Sequence, residues 1–191
     1  MDEQNKGDVN KVLLQSIGAY VGLGSNQGDR AGNLLLAVRG MMNAGLAVQR
    51  LSSVYETEPV GTPNIQPSFL NMVAELKGNL PPADVTLARL LKIEYALGRR
   101  RTKSYMTART IDLDLLLYAD EGHDTPFLTL PHPRLHLRRF VLVPLAEIAP
   151  RLRHPTLNKT FAELLDGVAD TCEVKLWKQD GGGKMRSRVT K

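Results

Sequence analysis

The apolar positions change their period several times along the chain, and each change marks an element. Ile17-Gly18-Ala19-Tyr20-Val21-Gly22-Leu23 reads as a buried strand, stopped by the turn formers Gly24-Ser25-Asn26-Gln27-Gly28-Asp29. Leu34, Val38, Met41 and Met42 recur at i, i+4, i+7 and i+8, which predicts an amphipathic helix over about 30–44. Met41 and Met42 are expected as core filler, and Gly45 as the helix stop. Residues 47–56 read as one strand. Pro59, Gly61, Pro63 and Pro67 then exclude regular structure over 58–67. Alternation returns in 68–77, with Leu70, Met72, Ala74 and Leu76 on the apolar face and Phe69, Asn71, Val73 and Glu75 on the other. Pro81-Pro82 opens a second helix whose broad stripe, including Leu87, Leu90, Leu91, Tyr95 and Leu97, runs to Gly98 with Glu94 at its edge. From Arg109 to Tyr118 the period is two again. Ile111, Leu113, Leu115 and Leu117 share one parity, and Asp112 and Asp114 the other.

The remainder is less regular. A polar turn over 119–124 precedes a short pairing segment at 127–130 and the rigid Pro131-His132-Pro133-Arg134. Arg138-Arg139-Phe140 leads into an apolar run to Leu145. Thr160 and Glu163 form a capping box that predicts a short helix through Leu165, and 173–177 reads as a strand. No repeat or linker divides the chain. It is expected to be one domain over 17–178, with an N-terminal extension at 1–16 and a disordered basic tail at 179–191 that contains Gly181-Gly182-Gly183.

Charge and composition narrow the function. The net charge is +5, but Lys178, Lys184, Arg186, Arg188 and Lys191 against Asp180 put +4 of it in the last fourteen residues. The rest is nearly neutral and aromatics are 5%, so no nucleic-acid partner is expected. No apolar run reaches the roughly 18 residues that span a bilayer, so no membrane association is expected. Met1 to Asn10 is polar and carries Asp2, Glu3 and Asp8, unlike a signal peptide. A single cysteine, Cys172, excludes an internal disulfide framework and fits a reducing, cytoplasmic location.

The candidate chemistry centres on Asp112 and Asp114. On a strand their Cβ atoms lie roughly 7 Å apart on one face. Two such carboxylates repel unless a cation sits between them, and oxygen ligands suit a hard ion such as Mg²⁺. Arg109 and Arg99-Arg100-Arg101 would add guanidinium groups, and a metal with arginines is the equipment of phosphoryl or pyrophosphoryl transfer. The alternative is a solvated strand face beside a solvated helix end. The loop 24–29 could cradle phosphate or merely connect; it lacks the Gly-Lys-Ser/Thr ending of a P-loop. Phe69 and Asn71 share a face at the mouth of the long loop. They are either a platform and reader for a flat heterocycle or ordinary strand residues.

Eight segments in order resemble the 6-hydroxymethyl-7,8-dihydropterin pyrophosphokinase family, over about 19–148 and less closely to 177. They are Tyr20 to Asp29, Ser53 to Gly61, Phe69-Leu70-Asn71, Ile93-Glu94, Gly98-Arg99, Arg109 to Asp114, Pro131-His132 and Arg138-Arg139-Phe140. The resemblance implies an α+β fold: a mainly antiparallel sheet of ferredoxin-like ancestry with helices on both faces. It implies transfer of pyrophosphate from ATP to the hydroxymethyl pterin, releasing AMP, in folate biosynthesis. By the same resemblance Asp112 and Asp114 hold two Mg²⁺ ions. Glu94, Arg99, Arg101, Arg109, His132 and Arg138 bind ATP, with Arg99 and Arg109 also catalytic. Phe69 and Phe140 stack on the pterin, while Asn71 and groups around Thr57 and Val60 read its edge.

The sequence departs from the family at Tyr105, Met106, Thr107 and Ala108, where a basic residue, Trp, Gly and Pro are usual. Arg139 replaces a glycine and Glu58 a common proline. Three other readings are a phosphoesterase on the same aspartates, a nucleic-acid module on a ferredoxin-like sheet, and a pseudoenzyme with an altered ATP loop.

Overall fold

The computed structural model describes residues 17–59, 66–99 and 108–178. The extension at 1–16, the tail at 179–191, Val60 and Arg101 therefore lie outside the described residues. In chain order the elements are β1 (Ile17–Ser25), α1 (Arg30–Asn43), β2 (Val48–Leu51), β3 (Tyr55–Thr57), β4 (Phe69–Gly78), α2 (Ala83–Ala96), β5 (Asp112–Tyr118), β6 (His123–Asp124), β7 (Thr129–Leu130), α3 (Arg139–Ile148), α4 (Phe161–Asp166) and β8 (Val174–Leu176). A 3-10 turn, Leu135–Leu137, precedes α3.

The main sheet runs β5-β1-β4-β3-β8, with β2 also pairing β4, and its pairs are antiparallel. Two β-α-β halves interleave to give this order, the ferredoxin-like arrangement. β6 and β7 form a separate hairpin.

Both sheet faces are covered. On one, Ala19, Val21 and Leu23, Leu70, Met72, Ala74 and Leu76, and Leu113 and Leu115 pack under Leu34, Ala37 and Met41 of α1 and Leu90 and Ile93 of α2. On the other, Tyr20, Val73, Leu116 and Leu117 meet Val141, Leu142 and Leu145 of α3 and Phe161 and Leu164 of α4. The second core covers only part of its face, and the polar residues of β4 and β5 lie past its edge. Asp29 caps α1 by accepting Gly32 N–H at 3.0 Å. Gly45 follows that helix at φ 74°, a left-handed conformation that glycine adopts without strain. The capping box at Thr160 and Glu163 forms as expected. Among the described residues no helix is long and apolar enough to cross a membrane.

Five local expectations change. The alternation of β5 does not reach Leu117: the β1–β5 register shifts between Tyr20 and Val21, and the extra residue, Leu116, turns Leu117 toward the second core. The single strand expected over 47–56 is two. Ser52 Oγ accepts Val73 N–H at 2.9 Å, so a side chain replaces the ladder there. Met42 is 60% exposed, because on a helix it lies about 100° from Met41 and only one of the two can face the sheet. Tyr95 is 67% exposed while its neighbour Glu94 is 2% exposed. The polar turn expected over 119–124 contributes β6, which pairs with Thr129 and Leu130 alone of the segment 127–130.

Candidate active site

Asp112 and Asp114 project from β5 on the face that carries α3, beyond the edge of the second core. Their partners on β1 are Gly24 and Gly22, so the middle strand raises no side chain beside them. Gly24 is also opposite Asn71 of β4. A Cβ at Gly24 would lie 3.2 Å from Asn71 Oδ1, 3.8 Å from Phe69 Cδ1 and 3.9 Å from Asp112 Cβ. A glycine strand thus forms an open floor between the aspartates and the Phe69–Asn71 pair.

The two aspartates differ electrostatically. Asp112 accepts from Arg109 Nη1 at 2.6 Å through one oxygen and from Arg99 through the other. Arg99 also pairs with Glu94, which accepts Leu113 N–H at 2.8 Å. Glu94 therefore lies behind the site and ties α2 to the metal strand. Asp114 makes no ion pair among the described residues. Burial first, and then the negative charge of Asp112, push its carboxyl up to about 7 against the opposing effect of Arg138.

Arg109 is fixed by the loop after β1. Its N–H donates to Asn26 Oδ1 at 2.7 Å, its carbonyl accepts Asn26 N–H at 3.2 Å, and Ser25 Oγ donates to Thr110 O at 2.5 Å. Asn26 is fully buried and also donates to Gln66 Oε1 and Pro67 O, each at 3.3 Å. The loop is thus a clamp that joins the two sides of the cleft. In sequence Ser25 and Asn26 stand only as turn formers of a loop that could cradle phosphate, and nothing local marks them as the residues that hold Arg109. Arg109 Nε is buried and has no partner among the described residues, and its guanidinium carbon lies 5.5 Å from the Phe69 ring centroid.

The opposite wall comes from the segment before α3. His132 N–H donates to Leu116 O at 2.9 Å, and its Nδ1 accepts Arg134 N–H at 3.2 Å, which leaves the ring proton on Nε2. Burial, then Arg138, push its pKa down to about 4, so the imidazole is neutral near pH 7. Arg138 lies 5.6 Å from the Phe140 ring, and Phe140 is half-buried against the second core. On β3, Thr57 is buried and its Oγ1 accepts Asn71 Nδ2 at 2.8 Å. Ion pairs therefore link Glu94, Arg99, Arg109 and Asp112, with Asp114 beside them, and a hydrogen bond separately links Thr57 with Asn71. Arg109 reaches Phe69, and Arg138 is near both Asp114 and Phe140.

Comparisons with known proteins show what the chain is similar to. A family model described as 7,8-dihydro-6-hydroxymethylpterin-pyrophosphokinase matches residues 20–150. The chain is 42% identical over 165 residues to 2-amino-4-hydroxy-6-hydroxymethyldihydropteridine pyrophosphokinase of Bacillus subtilis (strain 168), covering 86% of this chain and 92% of that one. It is 38% identical over 149 residues to the folic acid synthesis protein fol1 of Schizosaccharomyces pombe (strain 972), covering 78% of this chain but only 20% of that protein. In fold it resembles the crystal structure of wild-type Plasmodium falciparum HPPK-DHPS, with TM-score 0.62 and 15% identity; 80% of this chain aligns, spanning 44% of that chain.

Proposed function

The chain belongs to the 7,8-dihydro-6-hydroxymethylpterin-pyrophosphokinase family, and from that premise we propose that it makes the pyrophosphorylated pterin of folate biosynthesis. The hydroxymethyl oxygen of 6-hydroxymethyl-7,8-dihydropterin attacks the β-phosphorus of ATP. The bond from that phosphorus to the oxygen bridging the α-phosphate breaks, AMP leaves, and the hydroxyl proton is released. The observation that carries this reading is the glycine floor, which sets the Asp112–Asp114 pair beside the Phe69–Asn71 pair.

The residues fit Mg²⁺. The donors are carboxylate oxygens, and burial together with the charge of Asp112 disfavours a second negative charge on Asp114 until a cation joins them. Among the described residues no third acidic, His or Cys side chain joins them, so each of two ions would complete its shell with triphosphate oxygens and water. When bound, Mg²⁺ supplies charge neutralisation for the triphosphate and acidifies the attacking hydroxyl. Arg109, Arg99 and Arg138 flank the space proposed for the phosphates. Neutral His132 donates to the nucleotide through Nε2–H. Glu94 acts on the ATP side through Arg99. Phe69 and Phe140 stack on the pterin, while Thr57 and Asn71 read its edge. The assignments of Arg101 and Val60 rest on the sequence.

An AMP-release assay with ATP, Mg²⁺ and the hydroxymethyl pterin tests the reading, with the pterin omitted as control. AMP must depend on pterin. Phosphate release without it would favour a phosphoesterase, and no turnover at all a pseudoenzyme.

Phe69→Ala and Phe140→Ala are expected to weaken pterin binding by roughly tenfold or more, since stacking contributes about 0.5–1.5 kcal/mol beyond area burial. Calorimetry with each ligand separately should find ATP affinity far less affected. Equal losses for the two ligands would mean that the pocket is misplaced.

The domain is proposed to be residues 17–178, working in the cytoplasm. Deleting 179–191 should change neither melting temperature nor steady-state rate, because three consecutive glycines and a run of basic residues bury little apolar surface. A lower melting temperature in the truncated protein would show that the tail docks.

A further inference from the structure

The family match ends at residue 150, yet the segment from 168 to 178 joins both walls of the proposed pterin pocket. β8 pairs with β3, placing Val174 opposite Thr57, and Trp177 N–H donates to Val54 O at 2.9 Å. Just before this strand, Asp170 reaches α3. Its Oδ2 accepts Arg139 N–H at 2.8 Å, and its Oδ1 accepts Cys172 N–H at 2.9 Å. One carboxylate therefore fixes the start of α3 and the turn that leads into β8.

The start of α3 needs such a group. The residue at its N-cap, Arg138, makes no side-chain capping bond, and the first turn contains no acidic residue. Arg138 and Arg139 instead place two positive charges at the positive end of the helix dipole. Exposed first-turn N–H groups fray unless an acceptor takes them. The far end of α3 is already tied to β3 and the segment before it. Glu147 accepts from Ser53 N–H at 2.9 Å, Ser53 Oγ at 2.8 Å and Tyr55 Oη at 3.1 Å. Asp170 does at the near end what Glu147 does at the far end, and Phe140 is the residue directly after the N–H that it holds.

We infer that Asp170 is a positioning residue for the pterin: by holding the first turn of α3 it sets Phe140 for stacking, while β8 steadies Thr57 on the other wall. This rests on the pterin site proposed above. In the full-length protein, Asp170→Ala should weaken binding of 6-hydroxymethylpterin about tenfold by calorimetry, with Mg²⁺-ATP affinity changed no more than threefold. Amide exchange over 139–142 should quicken. Asp170→Asn keeps a neutral acceptor and should recover most of the pterin affinity. It also supplies the comparison should the alanine protein fold poorly, since an asparagine protein that binds pterin no better than alanine overturns the inference. Unchanged pterin affinity in Asp170→Ala, with Phe140→Ala weakened as expected, overturns it as well. So does an equal loss for both ligands, which would mean general loosening. If Phe140→Ala itself binds pterin normally, the pterin site is wrong, and that failure is told apart by this control.

Discussion

Asp112→Asn and Asp114→Asn are each expected to lower turnover by about 10³-fold or more, and to shift the stability of the metal-free protein in opposite directions. Each loses one of two carboxylates proposed to hold Mg²⁺ against the triphosphate, an interaction strongest as charge moves in the transition state. The stability effects follow from their different surroundings. Asp112 is matched by Arg99 and Arg109, so its loss leaves two guanidinium groups without their acceptor and lowers the melting temperature. Asp114 is partly buried beside that charge, and its folded pKa of about 7 exceeds the unfolded value of about 3.9. Below about pH 4 both states carry the proton and Asp114 costs nothing. Between about pH 4 and 7 only the unfolded state ionises, so stability falls as pH rises, and above about pH 7 the loss is complete. The melting temperature of Asp114→Asn relative to the natural protein, taken in chelator, should therefore climb across that window and then level off. Near-normal AMP production by either variant would sink the metal assignment. A flat difference between pH 4 and 7 would mean that Asp114 is not strained in the metal-free protein.

The second large effect is expected of Arg99→Ala. Arg99 joins Glu94 to Asp112, and its side chain is 15% exposed while that of Glu94 is 2% exposed. Removing one partner of a buried ion pair leaves the other charge uncompensated, at a cost of about 3–5 kcal/mol. Activity should fall by about 10²-fold or more, since a guanidinium proposed to meet the triphosphate goes with it. The two losses are separable. Glu94→Gln added to Arg99→Ala should restore much of the stability, because the amide still accepts Leu113 N–H, but none of the activity. Denaturant melts and single-turnover AMP release on the single and double variants decide. Activity recovered together with stability would assign Arg99 a structural role only.

The sequence by itself determined the strands that carry the site and the faces their side chains take. Period two in β4 and β5 put Phe69 with Asn71, and Asp112 with Asp114, because successive side chains of a strand point to opposite sides. It failed on β5 where Leu116 is the extra residue opposite β1: a bulge depends on the partner strand, and no local period encodes it. Met42 and Tyr95 failed because helix periodicity marks a stripe but not its edges, which the neighbouring element trims. The eight motifs marked the site residues by resemblance, without the distances between them. Only the tertiary structure decided which charges meet. Glu94 turns inward to meet Arg99 and Leu113 N–H, five and nineteen residues away, which share its Oε1. Asn26 and Arg109 lie 83 residues apart, and Arg139 and Asp170 31 apart, and nothing in either local sequence names the partner. The asymmetry of the two aspartates is likewise a property of the fold. It arises because burial and neighbouring charge act through space, on residues that the chain brings together only when the sheet closes.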